Sequence, residues 1–326
     1  MKMQILTNYI IKKQIYVKIY LEIFLITNYN KMERKSMDKI CIVADSGGYL
    51  PKDILTKYDI SLVPFYITLD GEKYLVQGKD ITDKELYKKM EADPNIFPKT
   101  SAPNPEDWYN VLLEKYQKGY KNILITTMSS DLSASYNNAS LAKTSFLEDY
   151  PDCDVKVFDT RTCTCGQSAM EIKLAQLIEK GKHTFEQLYE AAKNLIAKTH
   201  TIFSVKTLKY MEAGGRIGGA AKFLGVMLKI NPISEFVDGV VKPIKMSRTR
   251  KKALDAMVDI AVKRIKDPKK TIICTRSALY EEDQEYLIKN LKEKLDYKGK
   301  IYRGTLEAVI GAHSGPGAIG VGFVTE

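Results

Sequence analysis

Apolar residues fall into two alternating patterns along most of this chain: short continuous runs, and stripes that recur every three to four positions. Ile40 to Ala44, Ile123 to Ile125 and Val155 to Phe158 are continuous runs, each followed by turn or hydroxyl residues. Such runs mark strands buried on both faces. Between them the spacing becomes helical. Pro51 opens a short helix to Tyr58, and Leu132, Tyr136, Ala139, Ala142 and Phe146 form one stripe. Met170, Leu174, Leu177 and Ile178 predict a helix over 166–178, and Leu188, Ala192, Leu195 and Ile196 predict the next. Thr82 with Glu85 has the spacing of a capping box, Thr184 with Gln187 caps the helix of Leu188, and Asn104-Pro105 with Asp107 opens another helix. Ile60 to Tyr66 and Glu72 to Val76 read as strands around an Asp70-Gly71 turn. This alternation predicts an α/β chain whose N-terminal domain is a doubly wound parallel sheet.

After Thr201 the texture changes. Strands at 202–206, 240–246, 271–275 and 301–309 alternate with helices at 251–265 and 281–295, and Gly239 signals a hairpin. Few of these strands are continuously apolar, so the second domain reads as α+β with a mixed sheet. The division expected is an extension at 1–36, a parallel α/β domain at 37–165 and a second domain at 166–326, with the boundary between 160 and 200. The extension is rich in Ile, Lys, Asn and Tyr, and Lys18 and Glu22 interrupt its apolar positions. Its uncharged runs fall short of the ~18 residues that a membrane span needs, leaving at most transient membrane contact through an amphipathic helix. Met37 reads as the true start.

Charge and cysteine content narrow the partners. Residues 1–36 hold seven basic side chains against two acidic ones, which is half of the formal net charge of +10. What remains is too dilute over the rest of the chain to argue for nucleic acid. Lysines and arginines do concentrate between 206 and 252, a region suited to an acidic partner or an anionic ligand. The five cysteines form no CxxC pair, and the three histidines lie in unrelated contexts. Neither a disulfide framework nor a zinc site is indicated, and a reduced cytoplasmic setting fits.

Candidate chemistry gathers beyond the carboxyl ends of the predicted parallel strands, where open α/β sheets bind ligands. Asp45 and Ser46 follow the first run, and Ser129, Ser130 and Ser133 lie between a buried strand and a helix. Hydroxyls at the positive mouth of a helix make a carboxylate or phosphate site, or else simply cap the helix. His313, placed after an apolar strand and before Ser314-Gly315-Pro316-Gly317, is either a surface imidazole in a turn or a donor to an anion. Arg216, among glycines, divides in the same way. Gly315 to Gly320 matches G-x-G-x-x-G but lacks room for the helix and crossover that dinucleotide binding requires. The glycines at 214–219 lack the Lys-Ser/Thr tail of a phosphate loop.

Taken together these stretches resemble the DegV family of bacterial fatty-acid-binding proteins, from about Asp38 onward. The carriers are Asp45-Ser46, Thr100-Ser101-Ala102-Pro103, Ser129-Ser130-Asp131-Leu132-Ser133, Phe158-Asp159-Thr160, Gly214-Gly215-Arg216-Ile217, the Arg248-to-Leu254 stretch and His313-Ser314-Gly315-Pro316-Gly317-Ala318. The resemblance implies two α/β domains with a long-chain fatty acid between them and no cofactor. It places the carboxylate on Thr100, Ser101, Ser133 and Ser130 with His313, and head-group or partner contacts on Arg216, Arg248, Arg250, Asp45 and Ser46. It also implies a partner, a separate ATP-dependent fatty acid kinase that makes an acyl phosphate for phospholipid synthesis, this chain having no catalytic centre of its own. Asn104, Ala134-Ser135, Gly47 and Tyr49 depart from the family pattern, and Cys163 and Cys165 are unusual near the pocket mouth. Two alternatives stand beside this reading: a kinase-like subunit for a small hydroxyketone, and a lipid-responsive regulator.

Overall fold

The structure, a computed structural model, describes residues 39–224 and 230–325. The 1–36 extension and Met37 lie outside them. Four strands, β1 (Ile40–Asp45), β2 (Ser61–Val63), β6 (Asn122–Thr127) and β7 (Asp154–Asp159), form a parallel sheet in the order β2-β1-β6-β7. Between them, β3 (Tyr66–Thr68), β4 (Leu75–Val76) and β5 (Lys99–Ser101) form a small antiparallel sheet. The run 60–66 is therefore divided. Pro64, which has no N–H to give a ladder, separates the strand that joins the parallel sheet from the one that joins the small sheet.

The second sheet is mixed. Its strands are β8 (Thr199–Ser204), β9 (Asn231–Val237), β10 (Val240–Ser247), β11 (Ile272–Ser277), β12 (Ile301–Thr305) and β13 (Ile319–Val324), in the order β10-β9-β8-β13-β11-β12. The hairpin signalled by Gly239 joins β9 to β10, with Asp238 at φ 52° and Gly239 at φ 83°. Two strands carry no clear sequence signature, β9 and the central β13. β13 begins inside the discarded G-x-G-x-x-G match.

The helices are α1 (Lys52–Tyr58), α2 (Asp83–Ala92), α3 (Pro105–Gln117), α4 (Ser135–Asp149), α5 (Thr164–Glu179), α6 (Phe185–Ile196), α7 (Lys209–Ala213), α8 (Arg250–Arg264), α9 (Glu281–Leu295) and α10 (Ala308–Ser314). Thr82, Asn104 and Thr184 each close a full capping box. On one face of the parallel sheet α3 and α4 pack Trp108, Leu112, Ala139 and Phe146 against Val43 and Ile125. On the other face α5 and α6 pack against Ile42 and Leu124.

Helix α5 also packs on the second sheet, so it lies between the two sheets, and its residues from Thr164 to Ala175 are all buried. A single apolar stripe underestimates a helix with sheets on both sides. Its close approach explains the glycines of β13. A Cβ on Gly322 would stand 2.3 Å from the main chain of Cys165 and Gly166, so only glycine fits there. The far face of the second sheet is covered by α8 and α9 through Leu254, Met257, Leu287 and Leu291. Among the described residues no helix is long and apolar enough to cross a membrane.

Candidate functional site

The carboxyl ends of β1, β6 and β7 meet the small sheet and the second sheet around a cavity of about 280 Å³. Pockets that hold small organic ligands begin at roughly this size. Its wall is mostly apolar, with Phe65, Met128, Cys163, Phe203, Phe236, Val241, Val309 and Ile310. Its polar side is made by Thr100, Ser101, Ser133, Thr164, Arg216, His313 and Ser314. Ser101 and Arg216 are exposed, which puts that side toward solvent.

Strand β6 delivers the serine loop and α4 follows. Ala134, the N-cap of α4, gives no side-chain cap, so the positive end of a 15-residue helix stands at the wall formed by Ser133 and Ala134. Ser133 Oγ accepts the Ser135 N–H at 3.2 Å, and its own proton remains to donate. The loop is shaped by Asp45, which is fully buried and does not line the cavity. Its Oδ2 accepts the Met128 N–H at 2.9 Å and the Ser135 hydroxyl at 2.6 Å, and its Oδ1 accepts Gly47 N–H and Gln167 Nε2. One carboxylate thus fixes both flanks of the segment that presents Ser133. Burial raises the Asp45 pKa despite these donors.

Four other sequence candidates also lie away from the cavity wall. Ser46 Oγ accepts the Phe65 N–H and donates to Gln77, so it ties β1 to the strand break at Pro64. Ser130 donates to Asp159 at 2.6 Å and accepts from Arg161. Arg250 is held by Asp283 at 2.7 Å and by the Gly317 carbonyl. Arg248 is exposed beside a shallow hollow that also includes Lys245 and Lys252. These side chains face other polar partners or the surface, and spacing along the chain cannot distinguish that from facing a ligand.

His313 lies on α10 rather than in a turn after a strand, because the predicted strand 301–309 ends at Thr305 and a helix starts at Ala308. Its Nε2 is 2.8 Å from Thr100 Oγ1, across 213 residues of sequence. Burial, with the nearby Arg216 charge, lowers its pKa to about 4, so the ring is neutral at ordinary pH. Its buried Nδ1 has no hydrogen-bond partner among the described residues and stands against Gly214, where a Cβ would be 2.0 Å away. A buried N–H without an acceptor is the rarer fault, so we assign the ring proton to Nε2, donating to Thr100 Oγ1. The Thr100 hydroxyl proton is then free for an acceptor in the cavity. Arg216 donates to the carbonyls of Leu132 and Gly214, neither of which cancels its charge.

Thr164 is a wall residue that gave no sequence signal. Thr164, at φ 46°, donates from its hydroxyl to Glu307 at 2.7 Å. Glu307 is fully buried, accepts the Tyr49 N–H, faces Arg276 at 3.6 Å and precedes α10, and burial raises its pKa to about 7. Cys163 is a buried wall residue whose thiol is pushed well up by burial, which makes it an apolar surface rather than a nucleophile. Cys165 faces Gly320 and Gly322 of β13 and does not line the cavity.

Comparison with known proteins places this arrangement. The family model described as "uncharacterised protein, DegV family" matches residues 39–326. A DegV domain-containing protein of Clostridium perfringens is 32% identical over 287 residues, covering 87% of this chain and 98% of the relative. A stearic-acid-binding protein of Eubacterium ventriosum superposes with TM-score 0.82 at 31% identity, over 87% of this chain and 97% of that one. A fatty-acid-binding DegV family protein of Thermus thermophilus does so at 0.81 and 27%, over 88% of this chain and all of its own. With the family model spanning nearly every described residue, this chain belongs to the DegV family.

Proposed function

We propose that this protein is a carrier for a long-chain fatty acid, held between the two sheets with its carboxylate at the hydroxyl-lined side of the cavity. The observation that carries this reading is the pairing of a mostly apolar wall with the Thr100–His313 contact and the open end of α4 at one edge. Thr100 and Ser133 would donate to the carboxylate, with Ser101 and the charge of Arg216 beside them. Solved relatives bind stearic acid and other fatty acids, and their likeness supports the same ligand class here. A wall this apolar suits an acyl tail better than a small hydroxyketone.

Magnitudes divide the labour. A tail of ~15 methylenes at ~0.8 kcal/mol each offers roughly 12 kcal/mol on burial. A hydrogen bond to a charged group contributes about 1.5–3 kcal/mol. The tail therefore sets affinity, while the hydroxyls set orientation and offset the cost of desolvating the charge. Neutral donors also leave the carboxylate nucleophilic. This suits presentation to a separate ATP-dependent kinase, on which a carboxylate oxygen attacks the terminal phosphorus of ATP and ADP leaves. The exposed Arg248 with Lys245 and Lys252, beside Asp255 and Asp259, offers such a partner a charged surface.

Native mass spectrometry of the purified protein, followed by organic extraction, tests the carrier reading. We expect one long-chain acid per chain, released on denaturation. A protein that arrives empty and takes up none of a panel of C14–C18 acids would overturn it.

A further inference from the structure

The first two serines of the Ser129-Ser130-Asp131-Leu132-Ser133 motif do not line the cavity, and they are not idle. Ser129 is fully buried, and its hydroxyl donates to the Gly239 carbonyl at 2.8 Å, 110 residues away. Gly239 is the tip of the β9–β10 hairpin. The neighbouring tip carbonyl, of Asp238, accepts from Arg161 Nη2. Arg161 is itself held by Asp131 at 2.6 Å and by Asp159 and Ser130 at 3.1 Å. The serine loop and the turn after β7 thus grip the end of a hairpin that belongs to the other sheet.

That hairpin forms one wall of the cavity. Phe236 and Val241 sit opposite each other on β9 and β10, and both line it. Yet the hairpin is weakly joined to its own sheet. β10 is the edge strand, and β9 pairs with β8 at three positions only, Ile233, Ser234 and Glu235. Phe236 to Val241 overhang the last of these pairs. What restrains the overhang is the grip on the tip, the stacking of Phe236 on Phe203 at 5.4 Å and the packing of Gly218 against Val241. The grip has no slack. A Cβ at Gly239 would lie 2.6 Å from both Ser129 Oγ and the Arg161 guanidinium carbon.

We propose that Ser129 and Arg161 form a catch on the β9–β10 hairpin, positioning Phe236 and Val241 over the ligand, and that release of this catch sets the rate at which the acyl chain enters and leaves. The inference rests on the carrier reading. A group that touches the ligand changes the bound state and so the off-rate. A catch is made with and without ligand, so its loss speeds both directions and leaves the equilibrium nearly untouched.

Stopped-flow exchange of cis-parinaric acid, a fluorescent polyene fatty acid, separates the cases in the full-length protein. Ser129→Ala removes the hydrogen bond to Gly239, together with the longer one from the Asp131 N–H at 3.3 Å, without adding bulk, and Gly239→Ala pushes the tip away through an independent residue. Each is expected to raise both the on-rate and the off-rate by roughly five- to tenfold, the factor that one net hydrogen bond of this kind represents, with Kd within about twofold of wild type. Wild-type exchange rates in both folded variants would overturn the catch. So would a faster off-rate at an unchanged on-rate, which would make Ser129 a ligand contact. If the wild-type protein binds no fatty acid at all, the carrier reading falls instead.

Discussion

Ser133 and Asp45 both follow buried strands of the parallel sheet and read alike in a motif list, and they differ in kind. Ser133 lines the cavity and has a proton to give, whereas Asp45 is buried behind it and holds Met128 and Ser135. Ser133→Ala and Thr100→Val should therefore each weaken palmitate binding by about tenfold or somewhat more, the worth of one hydrogen bond to a carboxylate, and each also gives up one internal hydrogen bond, from the Ser135 N–H or from His313 Nε2. Asp45→Asn should do both kinds of damage. It turns one buried acceptor into a donor facing other donors, which costs on the order of 1–3 kcal/mol of stability, and it releases the loop that presents Ser133. Equilibrium urea unfolding beside a palmitate titration checks the split. An Asp45→Asn protein of wild-type stability and affinity would show that the loop holds its shape unaided.

Much of the element pattern is legible because its signals are local. Capping boxes at Thr82, Asn104 and Thr184 are made within four residues, and the three continuous runs of the parallel sheet announce their burial directly. The candidate site was legible only in part. Thr100, Ser101, Ser133, Arg216 and His313 do meet at one cavity, whereas Asp45, Ser46, Ser130 and Arg250 turn to other polar partners. The difference is one of side-chain facing across separations from tens of residues to more than 200, which spacing does not encode. Strand β13 gave no strand signal for a related reason: its glycines break the apolar run, yet they are there to admit α5. That yields a test on one strand. Gly322→Ala forces a Cβ into the main chain of Cys165 and Gly166, where nothing can rotate away, while at Gly320 the nearest atom is the Cys165 Sγ at 3.0 Å. Gly322→Ala should cost about 3 kcal/mol or more by overpacking, and Gly320→Ala clearly less. Equal thermal shifts in the two variants would mean that α5 can lift off the sheet without penalty.

At the scale of the whole molecule, both sheets close on α5 over a set of buried charges, and these charges make stability depend on pH in an unusual direction. Asp45, Glu171 and Glu307 are all fully buried, and burial raises the pKa of each, that of Glu307 from 4.5 to about 7. A carboxyl whose pKa is higher folded than unfolded binds its proton more tightly in the native state. Its contribution is fully present below the unfolded value and is lost as pH rises through the folded value. For Glu307 that window runs from pH 4.5 to about 7, and between pH 7.5 and 5.5 it adds about 2 kcal/mol. His313 opposes this. Its folded pKa of about 4 lies below the ordinary 6.5, so acidification over the same interval favours the unfolded chain, by about 1 kcal/mol. Asp45 and Glu171 act in the same sense as Glu307, so the carboxyls prevail. The ligand-free protein should therefore unfold at a higher urea concentration at pH 5.5 than at pH 7.5, with His313→Gln widening the gap. A midpoint that falls on acidification would show that the buried carboxyls are ionised at little cost, their hydrogen bonds to Gln167, Thr164 and the main chain outweighing burial.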